Sequence, residues 1–223
     1  MLLSSLILQS LCGGHITACH LMPVLCFATM AAREVEIKFA TDDIRWIRRR
    51  LRQLGFRQQT PRRHEVNTLY DFPDSVLRRR GELLRLRRYG DQWKLTHKGK
   101  GRAGRHKSRE ELETSVSDGN TTAAMLSRIG LVPTFHYEKF RSEWSDSEGH
   151  VVLDETPIGN FAEIEGPSRW IDRTARALDV PNGLYITDSY AQLFMKWKRH
   201  TGSAATEMTF RACRPQTRSF PKK

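Results

Sequence analysis

Cysteine is absent from the central part of the chain. Three of the four cysteines (Cys12, Cys19 and Cys26) lie close to the N terminus, and Cys213 lies close to the C terminus. Without a cysteine between residues 30 and 198, this region can form neither a disulfide framework nor a thiolate metal site. Both absences suit a reducing compartment, and we expect a cytoplasmic protein.

The first 29 residues contain no charged side chain. A secretory signal would begin with basic residues, and no apolar run in this chain reaches the length that spans a bilayer. We therefore expect no membrane association. We interpret residues 1–29 as an unstructured leader or as the product of a start site assigned too early, and we expect the folded domain to cover residues 30–198.

Basic residues outnumber acidic ones, but their distribution is uneven. The formal net charge is +12. Residues 199–223 hold six basic residues and one acidic residue, which accounts for +5 and leaves +7 for residues 30–198. A strongly basic chain often binds nucleic acid. Here much of the excess lies in a segment rich in Ser, Thr, Pro and Arg without periodicity, which we interpret as a flexible basic tail. We expect no specific nucleic-acid partner.

Hydrophobic spacing predicts both helices and strands in the central region. Helical segments, recognised by apolar spacing and by capping residues or terminal glycines, are predicted at residues 41–54, 120–129, 170–178 and 188–197. Extended segments are predicted at residues 34–39, 64–70, 75–80, 83–87, 93–98, 109–113, 137–141, 151–154 and 161–165.

Charged side chains recur on one face of these strands. Side chains alternate between the two faces of a strand, so Glu34, Glu36 and Lys38 lie together, opposite Val35 and Ile37. The same alternation groups seven carboxylates, namely Glu34, Glu36, Glu111, Glu113, Asp154, Glu163 and Glu165. It groups eight cations with them, namely Lys38, Arg85, Arg87, Lys94, Lys98, Arg109, Lys139 and Arg141.

These charges have two interpretations. An ordinary antiparallel sheet with one solvated face would also carry charges on that face. Paired arginines, however, suit phosphate oxygens, and Glu-x-Glu pairs supply the hard oxygen ligands that Mg²⁺ or Mn²⁺ prefers. If the sheet closed into a tunnel, two divalent ions and a triphosphate of roughly −4 would offset each other, and the filled tunnel would keep only its own small positive charge, close to neutral as a buried polar site requires.

Several motifs occur together in one order. Glu34-x-Glu36-x-Lys38 is followed by Asn67-Thr68-Leu69-Tyr70-Asp71, Leu84-Arg85-Leu86-Arg87, Leu95-Thr96-His97-Lys98-Gly99, Arg109-x-Glu111-x-Glu113, Lys139-x-Arg141, Val152-Leu153-Asp154 and Gly159-Asn160-Phe161-Ala162-Glu163-Ile164-Glu165. This series resembles the CYTH superfamily, the triphosphate tunnel metalloenzymes, over residues 34–197. The last of these motifs, at residues 159–165, and the Asp188-Ser189-Tyr190 segment are most similar to the CyaB-like branch of the superfamily, which is labelled class IV adenylyl cyclase. Leu69 departs from the more polar or aromatic residue that many members have.

The resemblance implies an α+β fold, a closed eight-stranded antiparallel β-barrel with helices packed outside. It also implies Mg²⁺ or Mn²⁺ as cofactor and a small molecule with a linear triphosphate as substrate, and it is compatible with a homodimer. The expected metal ligands are Glu34, Glu36, Asp154, Glu163 and Glu165. The expected catalytic residues are Lys38, Glu111 and Glu113. The expected substrate-binding residues are Arg85, Arg87, Lys94, Lys98, Arg109, Lys139 and Arg141.

Three functions remain open on these grounds. The branch resemblance favours an adenylyl cyclase, in which the ribose 3′-hydroxyl of ATP attacks the α-phosphorus and pyrophosphate leaves. A triphosphatase acting on inorganic or thiamine triphosphate would use the same charged groups, with water as the nucleophile. A non-catalytic polyphosphate-binding module is the third alternative, although carboxylates in a basic groove would weaken polyanion binding unless metals occupied them.

Overall fold

The computed structural model describes residues 32–102 and 104–214 as one compact unit of strands and helices. Its strands are β1 (Ala32–Ala40), β2 (Arg57–Asp71), β3 (Leu83–Tyr89), β4 (Gln92–Lys98), β5 (Lys107–Val116), β6 (Val132–Ser145), β7 (His150–Thr156) and β8 (Gly159–Glu165). Its α-helices are α1 (Ile44–Gln53), α2 (Val76–Arg80), α3 (Gly119–Arg128), α4 (Ser168–Ala177) and α5 (Tyr190–Thr201), and a 3₁₀ turn spans Asn182–Leu184.

The eight strands close into a barrel in the order β1-β5-β4-β3-β2-β6-β7-β8. All neighbouring pairs are antiparallel, and β1 completes the circle by pairing with both β5 and β8. The predicted closed eight-stranded barrel is therefore confirmed. Closure also makes the first and last strands neighbours, so that Glu36 lies opposite Glu165 and Lys38 lies opposite Glu163.

Helices α1 and α4 cover the outside of β1, β7 and β8. The Asp43 carboxylate caps α1 by accepting a hydrogen bond from the Trp46 backbone N–H at 2.8 Å, and Leu51 of α1 is buried on the apolar face. The outward residues of these strands form the largest core with the two helices, including Ile37, Leu153 and Ile164 beside Leu51, Trp170 and Ile171. This packing turns the opposite, charged face of each strand inward.

Helix α3 covers a second side of the barrel. Leu126 of α3 is buried with Tyr70 of β2 and Leu86 of β3. A Cβ atom at Gly119 would lie 2.1 Å from Trp93 Cδ2, so only glycine allows the start of α3 to approach β4 this closely.

The structure differs from one prediction at residues 75–80. We expected an extended segment, and the structure has α2 there instead. The Asp71 carboxylate accepts hydrogen bonds from the backbone N–H groups of Leu77 and Arg78 at 2.9 Å each, which satisfies donors that a helix start leaves free. Positive φ angles at Ser75 (59°) and Gly81 (76°) then confine the helix to five residues.

The structure also differs from the domain boundary that we expected at residue 198. Met208 is fully buried, its N–H donates to the His136 carbonyl, and its carbonyl accepts from the Glu138 N–H, both at 3.0 Å. These bonds lie along the part of β6 that β7 does not reach, since β7 pairs only with residues 140–145. The boundary that we expected at residue 198 therefore falls too early, because this part of the expected tail packs on the barrel. The expected leader and residues 215–223 lie outside the described residues.

Helix α5 closes one end of the barrel. Tyr137 and Phe161 face inward, because each precedes an inward-facing charged residue (Lys139 or Glu163) by two positions. Both pack against Tyr190 and Phe194 of α5 in one buried aromatic cluster. No helix among residues 32–102 and 104–214 is long and apolar enough to cross a membrane.

Candidate active site

The barrel interior holds the charged residues that the sequence singled out. The alternation and pairing of the strands place all fifteen on the inner face, where ion pairs join most of them into two networks. The deep network comprises Lys38, Glu65, Arg85, Arg87, Lys94, Glu113, Lys139, Arg141, Asp154 and Glu163. The acidic network comprises Glu34, Glu36, Lys98, Lys107, Arg109 and Glu111, and Glu165 lies beside it.

Asp154 organises the deep network. One oxygen (Oδ2) accepts hydrogen bonds from Lys139 Nζ at 2.9 Å, Arg141 Nη2 at 2.6 Å and the Tyr190 hydroxyl at 2.6 Å. The other (Oδ1) accepts from Arg141 Nε at 2.8 Å. Because both oxygens are committed to these donors, the structure does not favour Asp154 as a metal ligand. It holds two cations in place instead.

Glu65 is a tunnel residue that the sequence analysis missed. It is completely buried, and its carboxylate lies 3.4 Å from Lys139, 3.6 Å from Arg87 and 3.7 Å from Arg141. Burial alone would raise its pKa, but these three cations outweigh burial and hold the pKa well below the usual value. Its position two residues before Asn67 was the available signal, because both side chains then share a face.

Glu113 connects the deep network to the more exposed part of the tunnel. Its carboxylate accepts from Lys94 Nζ at 2.7 Å, Thr96 Oγ1 at 2.8 Å and Arg87 Nη2 at 3.0 Å. Partial burial opposes ionisation, but Arg87, Lys94 and Thr96 together lower the pKa of Glu113 to about 2. A carboxylate held ionised this strongly is a poor general base, so we assign Glu113 to holding Arg87 and Lys94 rather than to proton transfer.

Two lysines pair with the carboxylates of the acidic network. Lys98 Nζ lies 2.7 Å from both Glu34 and Glu111, and Lys107 Nζ lies 3.1 Å from Glu36. The sequence analysis did not single out Lys107, although its spacing from Arg109 puts both on the inner face of β5.

Glu165 lies beside Glu34 and Glu36, with which it was expected to hold a divalent cation. Burial, followed by the negative charges of Glu34, Glu36 and Glu111, raises the pKa of Glu165 to about 7, although Lys98 opposes this. Among the described residues, no three Asp, Glu, His or Cys side chains already stand together as a metal site. A metal ion would therefore displace Lys98 or Lys107 from these carboxylates. The donor chemistry fits, since Mg²⁺ and Mn²⁺ prefer carboxylate oxygens.

Several buried polar atoms of the tunnel lack a hydrogen-bond partner. Among the described residues these include the Nε–H groups of Arg85, Arg87 and Arg109, and the acceptors Glu65 Oε2 and Asn67 Oδ1. Buried polar groups without partners are rare in folded proteins. These three guanidinium groups therefore have donors available to the oxygens of an anion.

Side-chain exposure increases along the tunnel. The side chains of Asp154 and Lys139, beside α5, are 0% and 1% exposed, whereas those of Glu113 and Lys94 are 24% and 36% exposed. The charged interior therefore has a deep end against α5 and a shallow end at Lys94.

Comparison with known proteins identifies this arrangement. The sequence model of the CYTH domain matches residues 32–179, which are more than half of the chain. The chain belongs to the CYTH domain family. Its barrel is thus a CYTH tunnel, and the protein is an enzyme of phosphorus–oxygen chemistry. Membership in the family implies dependence on a divalent metal ion and a substrate with a triphosphate.

Individual relatives agree on the fold. A protein of Methanocaldococcus jannaschii, named as a "putative adenylate cyclase", is 26% identical over 133 residues, which are 59% of this chain and 75% of that protein. The solved structure of a "putative adenylate cyclase" from Vibrio parahaemolyticus has a TM-score of 0.67 at 21% identity and covers 74% of this chain and 99% of its own. A Hippeastrum structure has a TM-score of 0.56 at 17% identity and covers 73% and 95%. It is described as a "putative adenylyl cyclase" with a dominant triphosphatase activity.

Proposed function

We propose that this CYTH domain hydrolyses a linear triphosphate inside its tunnel. The observation that carries the proposal is the set of three buried guanidinium groups, Arg85, Arg87 and Arg109, whose Nε–H groups make no hydrogen bond within the described residues, although Arg109 Nε lies 3.5 Å from Glu34 Oε2. The planar donor geometry of arginine matches phosphoryl oxygens. Inclusion of Glu65 and Lys107 among the charged residues named above gives nine cations and eight carboxylates, so the net charge of this set is still only slightly positive.

The residues of the chain have distinct tasks in this reaction. Arg85, Arg87 and Arg109 bind the phosphate oxygens. Lys139 and Arg141, held by Asp154, face the charge that develops on the phosphoryl group in the transition state. Burial limits the access of bulk water and strengthens these electrostatic interactions.

The acidic network has the residue types that fit a divalent ion. The residues that would hold it are Glu34, Glu36 and Glu165, and when bound it polarises phosphoryl oxygens and offsets their negative charge. The other positive charges of the tunnel are those of its lysine and arginine side chains.

Hydrolysis fits the interior better than cyclisation does. An adenylyl cyclase must hold the nucleoside so that its 3′-hydroxyl reaches the α-phosphorus, and aromatic side chains usually provide such a surface. The inward-facing rings of Tyr137 and Phe161 are instead buried against Tyr190 and Phe194 at the closed end, and the hydroxyl of Tyr89, which lies two positions after Arg87, donates to the Arg141 carbonyl at 3.2 Å. The triphosphatase activity of the Hippeastrum relative supports this choice. Cyclisation is the second candidate, because other relatives carry the cyclase name.

Product analysis distinguishes the two reactions. The purified protein is incubated with inorganic triphosphate, thiamine triphosphate or ATP in the presence of Mg²⁺ or Mn²⁺, and the products are separated. We expect orthophosphate release that depends on the metal. Cyclic AMP and pyrophosphate as the main products from ATP would show the cyclase instead, and no turnover of any of the three would contradict the proposal.

A matched pair of variants tests the site within the same assay. Glu36→Gln removes one expected metal ligand, and we expect turnover to fall by a factor of at least about 100 while the fold is retained. Glu110→Gln is the control, because Glu110 is an exposed residue of the same acidic character on β5. Full activity and normal metal dependence in Glu36→Gln would contradict the assignment.

A further inference from the structure

Tyr190 reaches the centre of the deep network from outside the barrel. It is the first residue of α5, and its hydroxyl donates a hydrogen bond to Asp154 Oδ2 at 2.6 Å. Its ring lies 4.3 Å from Lys38 Nζ and 4.6 Å from Lys139 Nζ, measured to the ring centroid. One side chain therefore contacts a carboxylate and two lysines of the site.

The start of α5 holds Tyr190 firmly. Ser189 and Gln192 form a reciprocal capping box at this end of the helix. The ring of Tyr190 packs against Tyr137 at a centroid distance of 5.9 Å and against Phe161 at 5.8 Å. Lys38 Nζ also donates to the Asp188 carbonyl at 3.0 Å, so the backbone just before Tyr190 contacts the same lysine.

The hydroxyl has a specific task in this network. Asp154 Oδ2 accepts from Lys139, Arg141 and Tyr190 together. The neutral tyrosine donor restricts rotation of the carboxylate without adding a positive charge, and the carboxylate in turn sets the positions of the Lys139 ammonium and the Arg141 guanidinium. Burial and then Asp154 raise the pKa of Tyr190 well above its usual value, so the hydroxyl keeps its proton and remains a donor.

We propose that Tyr190 is a positioning residue for phosphoryl transfer, and that its hydroxyl holds Asp154 so that Lys139 and Arg141 meet the phosphoryl group in the transition state. The proposal rests on the proposed function, because it concerns the same site. The contact is a property of the assembled barrel, since 36 residues separate Tyr190 from Asp154.

The test uses the full chain and removes only the hydroxyl, as Tyr190→Phe. We expect kcat for inorganic triphosphate to fall about tenfold with KM changed less than about twofold, because a positioning contact acts mainly on the transition state. Tyr185→Phe is the matched control. Tyr185 is partly buried outside the tunnel, and its hydroxyl has no partner among the described residues, so its loss should leave kcat unchanged.

Calorimetric titration with inorganic triphosphate in the presence of a chelator separates positioning from folding. We expect the Tyr190→Phe protein to bind with the same stoichiometry and Kd as the wild type. A stoichiometry that falls in proportion to kcat would show a loss of folded protein only, and it would overturn the proposal. A kcat equal to that of the wild type would also overturn it.

Measurements on the wild-type protein distinguish failure of the Tyr190 proposal from failure of the proposed triphosphatase function. If the wild type hydrolyses triphosphate and Tyr190→Phe is unchanged, only the role of Tyr190 is refuted. If the wild type binds inorganic triphosphate but turns over none of the tested triphosphates, the proposed function fails, and the positioning role fails with it.

Discussion

Replacing Glu65 by glutamine should destabilise the protein strongly while leaving its shape intact. Glutamine has nearly the same size and removes only the negative charge. That charge lies 3.4 Å from Lys139, 3.6 Å from Arg87 and 3.7 Å from Arg141, in a position without solvent exposure. In the Glu65→Gln variant, three buried cations lose a shared counter-ion.

The size of the effect follows from burial and from the remaining partners. Removal of one member of a buried ion pair typically costs about 3–5 kcal/mol, because the other charge remains buried and uncompensated. Lys139 and Arg141 keep Asp154, and Arg87 keeps Glu113, so we expect the lower end, about 3 kcal/mol. For a chain of this length, that corresponds to a decrease in Tm of about 6–12 °C.

The effect should depend on pH in one direction. The cations hold the folded-state pKa of Glu65 well below its unfolded value, so Glu65 contributes stability above the unfolded pKa and loses it as the pH falls. The difference in free energy of unfolding between wild type and Glu65→Gln should be complete at pH 7. It should shrink below about pH 4, where the carboxylate of the unfolded chain is protonated.

Thermal unfolding of both proteins in a chelator, followed by circular dichroism at several pH values, measures this difference. Glu110→Gln serves as the control and should change stability by less than about 0.5 kcal/mol, because Glu110 is exposed. Equal Tm values for wild type and Glu65→Gln at pH 7 would refute the reasoning, since they would mean that the three cations do not depend on Glu65.

Three further outcomes are expected. Arg87→Ala should lower kcat by a factor of about 10²–10³ in a phosphate-release assay, whereas Arg49→Ala, on the exposed side of α1, should leave kcat unchanged. Equal effects of the two substitutions would mean that the overall positive charge of the protein binds the ligand. In a chelator at pH 8, Glu165→Gln should raise the free energy of unfolding by about 2–3 kcal/mol, because ionisation of a carboxyl whose folded pKa is about 7 destabilises the fold as the pH rises. This gain in stability should vanish below about pH 4, and a gain that does not depend on pH would contradict this cause. Met208→Ala should lower the free energy of unfolding by about 2–5 kcal/mol in denaturant unfolding, while Met195→Ala should lower it little, because Met195 is half exposed. An unchanged free energy of unfolding in Met208→Ala would show that residues 202–214 do not stabilise the barrel.

The inner face of the barrel could be predicted because alternation is a local property. A strand residue points to the side opposite its neighbours whatever the rest of the chain does, so Glu34 and Glu36 had to share a face. The same rule would have included Glu65 and Lys107. Glu65 was missed because it belongs to no pair of like charges, which was the pattern that drew attention to the others. Lys107 was missed because the predicted strand began at residue 109, although Lys107 and Arg109 form such a pair.

The ends of the domain could not be predicted in this way. Residues 202–214 have no periodicity of their own, and Met208 is buried because β7 leaves one edge of β6 unpaired. Such packing depends on where another strand ends, which local spacing does not record. Helix α2 is similar, because its start relies on the Asp71 carboxylate at the end of β2.

The sequence by itself determined which charges face inward and, through its ordered motifs, the family and the closed barrel. Only the tertiary structure decided which charges meet. Closure of the barrel sets Glu36 opposite Glu165 and leaves Glu165 among other carboxylates, while Asp154 is taken up by Lys139, Arg141 and Tyr190. The physical reason is that side-chain direction follows from the geometry of single residues, whereas the strength of an ion pair depends on a distance across the barrel, which exists only after the strands have closed and α5 has docked.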